Sequence, residues 1–144
     1  MTNPIQTAQQ RFEQGFSCSQ SVFSAYASRL GIEDETALKL ASPFGGGVAH
    51  QGNVCGALTG ALLALGLAHG HATIDKKDEI YPLAEEFLRR FRERNGTILC
   101  RELIGYDIST PGGLQAARDQ KVFKTICPGL VRDAAELVAE FMKS

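Results

Sequence analysis

The sequence predicts an all-α fold: a single-domain bundle of about five to seven helices around one central, buried apolar helix. Three observations lead there. Apolar side chains recur at helical spacing in several stretches, whereas no stretch shows the period-two alternation of a half-buried strand. Ala57 to Ala68 carry only one polar side chain, Thr59, as expected of a helix buried on most sides. Gly15, Gly31, Ser42-Pro43 and Asn95-Gly96 punctuate the chain where helices should stop. Residues 1–144 show no repeat, no low-complexity linker and no internal boundary, and so are expected to form one helical four-cysteine domain.

Taken in order, Gln6 to Gln14 is a short amphipathic helix closed by Gly15. Ser17 is placed to cap a second helix from Cys18 to Leu30, whose apolar face is Val22, Phe23, Ala25, Tyr26 and Leu30 and which Gly31 ends. Asp34 is expected to cap a third helix to about Ala41, stopped by Ser42-Pro43. The central helix runs from about Val54 to Leu67. Within it, Gly56, Gly60 and Ala64 form a small-residue ridge at spacing four, which lets a neighbouring helix approach closely.

His69-Gly70-His71 closes that helix, the histidines complementing its C-terminal dipole. Lys76 to Arg94 is a long amphipathic helix with Ile80, Leu83, Ala84, Phe87, Leu88 and Phe91 inward, its regular part starting or kinking near Pro82. Thr97 is the expected cap of a short helix to Ile104. Tyr106 to Gly113 is loop-like, and Gln115 to Val122 offers one or two turns. Gly129 to Met142 is the last amphipathic helix, with Cys127 at its cap and Pro128 at its start.

The net charge is −1 with both signs dispersed, so nothing points to nucleic acid or an anionic membrane surface. The first residues lack the basic and apolar regions of a signal peptide. The longest apolar run, Val54 to Ala68, is 15 residues, short of the roughly 18 to 20 that a spanning helix needs. A cytoplasmic protein without membrane insertion, with its thiols kept reduced, is expected.

All four cysteines, Cys18, Cys55, Cys100 and Cys127, fall at or within the first turn of an expected helix. Helix N-termini present free N–H groups and partial positive charge, which stabilise thiolates. A site where several such ends converge would suit disulfide exchange or metal ligation. The plain alternative is that each cysteine packs as a small core hydrophobe. The spacings are 37, 45 and 27 residues, so no Cys-x-x-Cys pair supports a zinc ribbon or thioredoxin-type motif. Cys55 stands where a glycine-rich loop, Gly45-Gly46-Gly47 through Gly52, meets the central helix at Gly56. It is expected to be the most acidic thiol, with the loop wrapping the site and donating N–H groups to sulfur. The glycines Gly45, Gly46, Gly47, Gly52 and Gly56 are the expected cofactor-binding positions. A nucleotide phosphate loop is not expected, because no Gly-Lys-Ser/Thr and no preceding strand accompany them. His50, in the same loop, is either a base or ligand beside Cys55 or a surface histidine bonded to the loop.

Cys55-Gly56-Ala57-Leu58-Thr59-Gly60, preceded by Cys18 and followed by Cys100 and Cys127, resembles the C_GCAxxG_C_C family of redox-active four-cysteine proteins. These are small domains of about this length, defined by four cysteines and a central motif that the family name writes Gly-Cys-Ala; here the order is Cys-Gly-Ala. The resemblance spans Cys18 to Cys127 and implies a redox role. A related arrangement looks similar to the non-haem part of split-Soret-type cytochromes, where such cysteines hold an iron–sulfur centre. No Cys-x-x-Cys-His for covalent haem is present.

Three functions therefore stand side by side. The first is a redox protein acting through Cys18, Cys55, Cys100 and Cys127, either by thiol/disulfide exchange or with an iron–sulfur cluster ligated by the four thiolates. The second is a structural zinc domain using the same ligands. The third is a non-catalytic accessory protein with inert cysteines. The redox partner is left unidentified, and a homodimer is left open.

Overall fold

The computed structural model describes residues 3–143; Met1, Thr2 and Ser144 of the expected 1–144 domain lie outside them. The fold is all-α: among the described residues there are nine α-helices, and the only extended pairing is an isolated antiparallel bridge between Val54 and Leu99.

Helix α1 (Pro4–Gln14) starts where the Asn3 side chain accepts from the Gln6 N–H, with proline at a position whose N–H has no helical partner, and ends at Gly15. Helix α2 (Cys18–Ala27) opens with a reciprocal capping box between Ser17 and Gln20, and a 3-10 turn, Ser28–Leu30, carries it to Gly31. Helix α3 (Asp34–Ala41) has Asp34 as its first residue rather than its cap. The Asp34 carboxylate is engaged elsewhere, accepting two hydrogen bonds of 2.7 and 2.8 Å from the Arg11 guanidinium, which fastens α1 to α3. Helix α4 (Gly56–His69) is the expected central helix, begun two residues later than Val54 because Val54 is held in the bridge.

Helix α5 (Tyr81–Asn95) begins beside Pro82 and not at Lys76, since the ring fits only a first turn. Helices α6 (Cys100–Ile104), α7 (Pro111–Asp119) and α8 (Val122–Thr125) are short, and with them the number of helices exceeds the expected five to seven. The Pro-Gly-Gly stretch that reads as loop in sequence is the first turn of α7, made helical by Thr110, whose hydroxyl accepts from the Gly113 N–H at 3.0 Å. Helix α9 (Cys127–Met142) closes the fold.

Helix α2 lies directly on α4, with α1, α3 and α9 packed around the pair. Their close approach needs small residues on both sides. A Cβ on Gly60 would lie 2.6 Å from the Ser19 carbonyl oxygen, and one on Gly56 would lie 3.0 Å from that of Phe44. Ser19 faces these glycines, and Ser19, Ser21 and Ser24 of α2 are all fully buried. Ser19 donates to the Ala41 carbonyl at 2.8 Å, but the Ser21 and Ser24 hydroxyls have no partner. Each unpaired hydroxyl costs about 1–3 kcal/mol, which the tight α2–α4 seam offsets. The main core is filled by Phe87 and Phe91 of α5, Leu58 and Leu65 of α4, and Leu137 and Val138 of α9, all buried, each large side chain contributing about 1.5–3 kcal/mol. Tyr26 ties α2 to α9 by donating to the Ala135 carbonyl at 2.5 Å, and the His69 ring at the end of α4 bonds the Phe141 carbonyl oxygen at 3.3 Å.

A second, smaller cluster gathers Cys100, Ile104, Ile108, Ala117, Val122 and Cys127. Cys55 belongs to the main core, and half-buried Cys18 packs against both clusters. The four cysteines thus sit on the seam between two cores. Among the described residues no helix is long and apolar enough to cross a membrane.

Candidate functional site

Three of the four cysteines are the first residue of a helix, Cys18 in α2, Cys100 in α6 and Cys127 in α9, and Cys55 is the N-cap of α4. The isolated bridge brings two of these helix starts together. The Cys55 N–H donates to the Ile98 carbonyl at 2.8 Å, and the Cys100 N–H donates to the Asn53 carbonyl at 2.7 Å. This two-bond clamp holds the beginnings of α4 and α6 side by side.

The glycine loop turns the chain into that clamp through a left-handed coil. Gly46, Gly47, Val48, Ala49 and His50 have φ of 67, 71, 65, 50 and 63° in succession. For the three non-glycine residues this costs roughly 1–2 kcal/mol each. Six consecutive N–H groups, Val48 to Asn53, offset the strain by donating to carbonyls of Pro43, Phe44, Gly45, Gly46, Gly47 and Val48. The loop therefore does not donate those N–H groups to sulfur, contrary to expectation.

All four cysteines are free thiols, and all four line one cavity of about 750 Å3. Gly45, Gly46, His50 and Gly56 lie on the same wall. Gly47 and Gly52 do not: Gly47 packs on the Asn53 backbone, and Gly52 on the Arg101 side chain. His50 is exposed at the rim, with its ring against Gly46. The remaining wall is largely aromatic and aliphatic, including Phe12, Phe16, Phe123 and Ile104, none of which the sequence singles out as site residues. Phe12 sits on the amphipathic face of α1 like any core residue, Phe16 lies in the short connection between α1 and α2, and Phe123 lies in α8, whose four residues are too few to carry a periodicity.

The thiol electrostatics invert the expected order. The N–H groups of Leu58 and Ala57 favour a Cys55 thiolate, but they form no side-chain capping hydrogen bond, and burial outweighs them: the Cys55 thiol is pushed up to about 11. Burial, with the Cys55 and Cys127 charges behind it, pushes Cys100 up to about 12. Cys127 is the thiol held below its ordinary value, because the Cys18 thiol hydrogen-bonds to it; burial opposes this and loses. Cys18 is raised in return by that bond, then by burial and by the charges of Cys127, Cys55 and Cys100. The acidic position is the Cys18–Cys127 pair.

Four thiols around one space are the donor set of a soft metal or an iron–sulfur cluster. However, among the described residues no three His, Cys, Asp or Glu side chains are placed to hold a metal ion. A closed zinc site needs four sulfurs about 2.3 Å from one point, and this arrangement does not present one.

The raised groups set an alkaline limit on stability. For Cys55 at about 11, and for Cys100 and Tyr26 at about 12, all raised mainly by burial, the neutral form is favoured in the folded state. Their contribution is complete below the unfolded-state values and is lost as pH rises through the folded ones, because the unfolded chain releases those protons first. Urea unfolding is expected to give a free energy lower by roughly 3 kcal/mol at about pH 10.5 than at about pH 8, with a smaller drop in Cys55→Ala. An unchanged urea midpoint would show that these thiols are not buried as neutral groups.

Comparison with known families matches residues 16–141 to the family described as "Putative redox-active protein (C_GCAxxG_C_C)". Comparisons with curated proteins and with solved structures gave no match. The match covers most of the chain, from just before Cys18 to the last turn of α9, and includes all four thiols of the cavity: the protein belongs to the C_GCAxxG_C_C redox-active family.

Proposed function

We propose that the protein exchanges two electrons with disulfides through Cys18 and Cys127. What carries this is the placement of both thiols at helix starts, Cys18 in α2 and Cys127 in α9, on one cavity, where their interaction favours a thiolate at Cys127 and keeps a proton on Cys18. In the reducing direction the Cys127 thiolate attacks one sulfur of a disulfide RS–SR; the S–S bond breaks, a mixed disulfide forms and RS⁻ leaves. That RS⁻ takes the Cys18 proton. The Cys18 thiolate then attacks Cys127 Sγ, forming the Cys18–Cys127 disulfide and expelling the second RS⁻. The substrate gains two electrons and the protein loses two. Cys55 and Cys100, kept protonated by burial, are poor nucleophiles at neutral pH and form a slower second pair behind the first.

Oxidation of the fully reduced protein with one equivalent of diamide, followed by thiol counting in denaturant and peptide mapping, tests this. The expected result is a fall from four free thiols to two, with the Cys18 and Cys127 peptides joined. Random pairing, or a Cys55–Cys100 link formed first, would sink it. One observation favours a second reading, an iron–sulfur cluster: all four thiols face one cavity and their charges disfavour one another, a repulsion that a cationic cluster would relieve. In that case the four cysteines would be ligands for one-electron transfer. Anaerobically prepared protein would then be brown, with stoichiometric iron and sulfide.

A further inference from the structure

Most of the cavity is not used by the four sulfurs. They occupy its inner wall, where Cys55, Cys100 and Cys127 are only 3, 8 and 5% exposed. A disulfide on a folded protein cannot bring its sulfur to such a depth without the cavity admitting part of that protein. A small molecule can, and a volume of about 750 Å3 falls within the roughly 300–1,000 Å3 typical of small-molecule sites. The cavity that holds the thiols is also lined by Phe12, Phe16, Phe123 and Ile104, the three phenylalanines half-buried and so offering ring surface to an entering group. Charge is confined to exposed residues of the lining, one acid at Glu13 and one base at Lys124, and these balance each other. Beside the thiols the wall offers helix-start N–H groups but no charged side chain, so an ammonium brought to the sulfurs would be desolvated without compensation and a carboxylate would compete with the Cys127 thiolate for the same N–H groups.

Resting on the thiol–disulfide reading above, we infer that the substrate is a low-molecular-weight organic disulfide with an uncharged aromatic or alkyl body. Its reduction follows the balanced sequence already given, RS–SR yielding one RSH and one RS⁻ per Cys18–Cys127 disulfide formed. An external dithiol returns the pair to its reduced state in a second exchange.

The test oxidises the reduced full chain with three disulfides: 4,4′-dithiodipyridine as the uncharged aromatic, glutathione disulfide as the charged peptide, and an oxidised thioredoxin-type protein. Each rate is divided by the rate of the same oxidant with free cysteine at the same pH. The expected normalised rate is at least about tenfold higher for dithiodipyridine than for either of the others. Phe16→Asp should cut the ratio of the dithiodipyridine rate to the hydrogen peroxide rate by about tenfold, because peroxide has no organic body for the ring to hold and any change in thiolate content moves both rates. Equal or higher normalised rates with glutathione disulfide or the protein disulfide overturn the inference. The panel on the unmodified chain decides the matter even if Phe16→Asp does not fold. Failure of every oxidant, peroxide included, to join Cys18 to Cys127 overturns the exchange reading itself, a distinct outcome.

Discussion

At about pH 7, iodoacetamide is expected to label Cys127 of the native, reduced protein before any other thiol, and Cys18→Ala to slow that labelling by about tenfold, the loss of one hydrogen bond to a charged group. Alkylation requires the thiolate. Cys127 is buried, which by itself would raise its pKa, and it is the hydrogen bond from Cys18 that reverses the sign. Alanine at position 18 removes the donor and leaves the burial, so the midpoint of the rate–pH profile moves upward and less thiolate is present at neutral pH. The smaller side chain also opens access to Cys127, which acts in the opposite direction on the maximal rate. The profile separates the two effects, since access changes its height and the hydrogen bond its midpoint. Cys18→Ser keeps a donor and should recover part of the shift. Labelling followed peptide by peptide over pH decides it; a midpoint unmoved by either substitution would leave the Cys18–Cys127 pairing without support.

Much of the fold is legible in the sequence because its strongest determinants are local. The inward face of Phe87, Leu88 and Phe91 reports α5, Ser17 reports the start of α2, and Gly15, Gly31 and Asn95-Gly96 mark three helix ends where the structure has them. The same holds for the placement of all four cysteines at helix starts. What escapes is set by residues far apart in the chain. A helix N-terminus at Cys55 can be read from Gly56 onward, but the desolvation that overrides it comes from the surrounding core and from the clamp to Ile98. The pairing of Cys18 with Cys127 leaves no local trace, since it arises only when α2 and α9 begin at the same point in space. The left-handed coil is a subtler case. Gly46 and Gly47 announce a positive φ, but Val48, Ala49 and His50 are forced into it by the loop's own hydrogen bonds, against their intrinsic preference.

Replacing Gly47 by alanine is expected to destabilise the protein by about 2–5 kcal/mol and to speed alkylation of Cys55 and Cys100 by at least about tenfold. Gly47 has a φ of 71° and no space beside it: a Cβ would lie 2.5 Å from the Asn53 nitrogen and 2.7 Å from its oxygen. Strain from the left-handed backbone contributes about 1–2 kcal/mol. The rest is overpacking against main chain, which no rotamer change can relieve. Asn53 must move, and its carbonyl is the acceptor that holds the Cys100 N–H at 2.7 Å. Loss of that bond frees the start of α6 from the start of α4, so Cys55 and Cys100 meet reagent by local opening instead of by global unfolding. Gly96→Ala separates the two contributions: Gly96 has a φ of 86° and nothing within 4 Å, so it should cost only about 1–2 kcal/mol and leave thiol reactivity unchanged. Urea unfolding supplies the stabilities and mass spectrometry the site-by-site labelling rates. If Gly47→Ala proves no more costly than Gly96→Ala and Cys55 and Cys100 stay as protected as before, the glycine loop does not hold the clamp, and the proximity of those two thiols must have another cause.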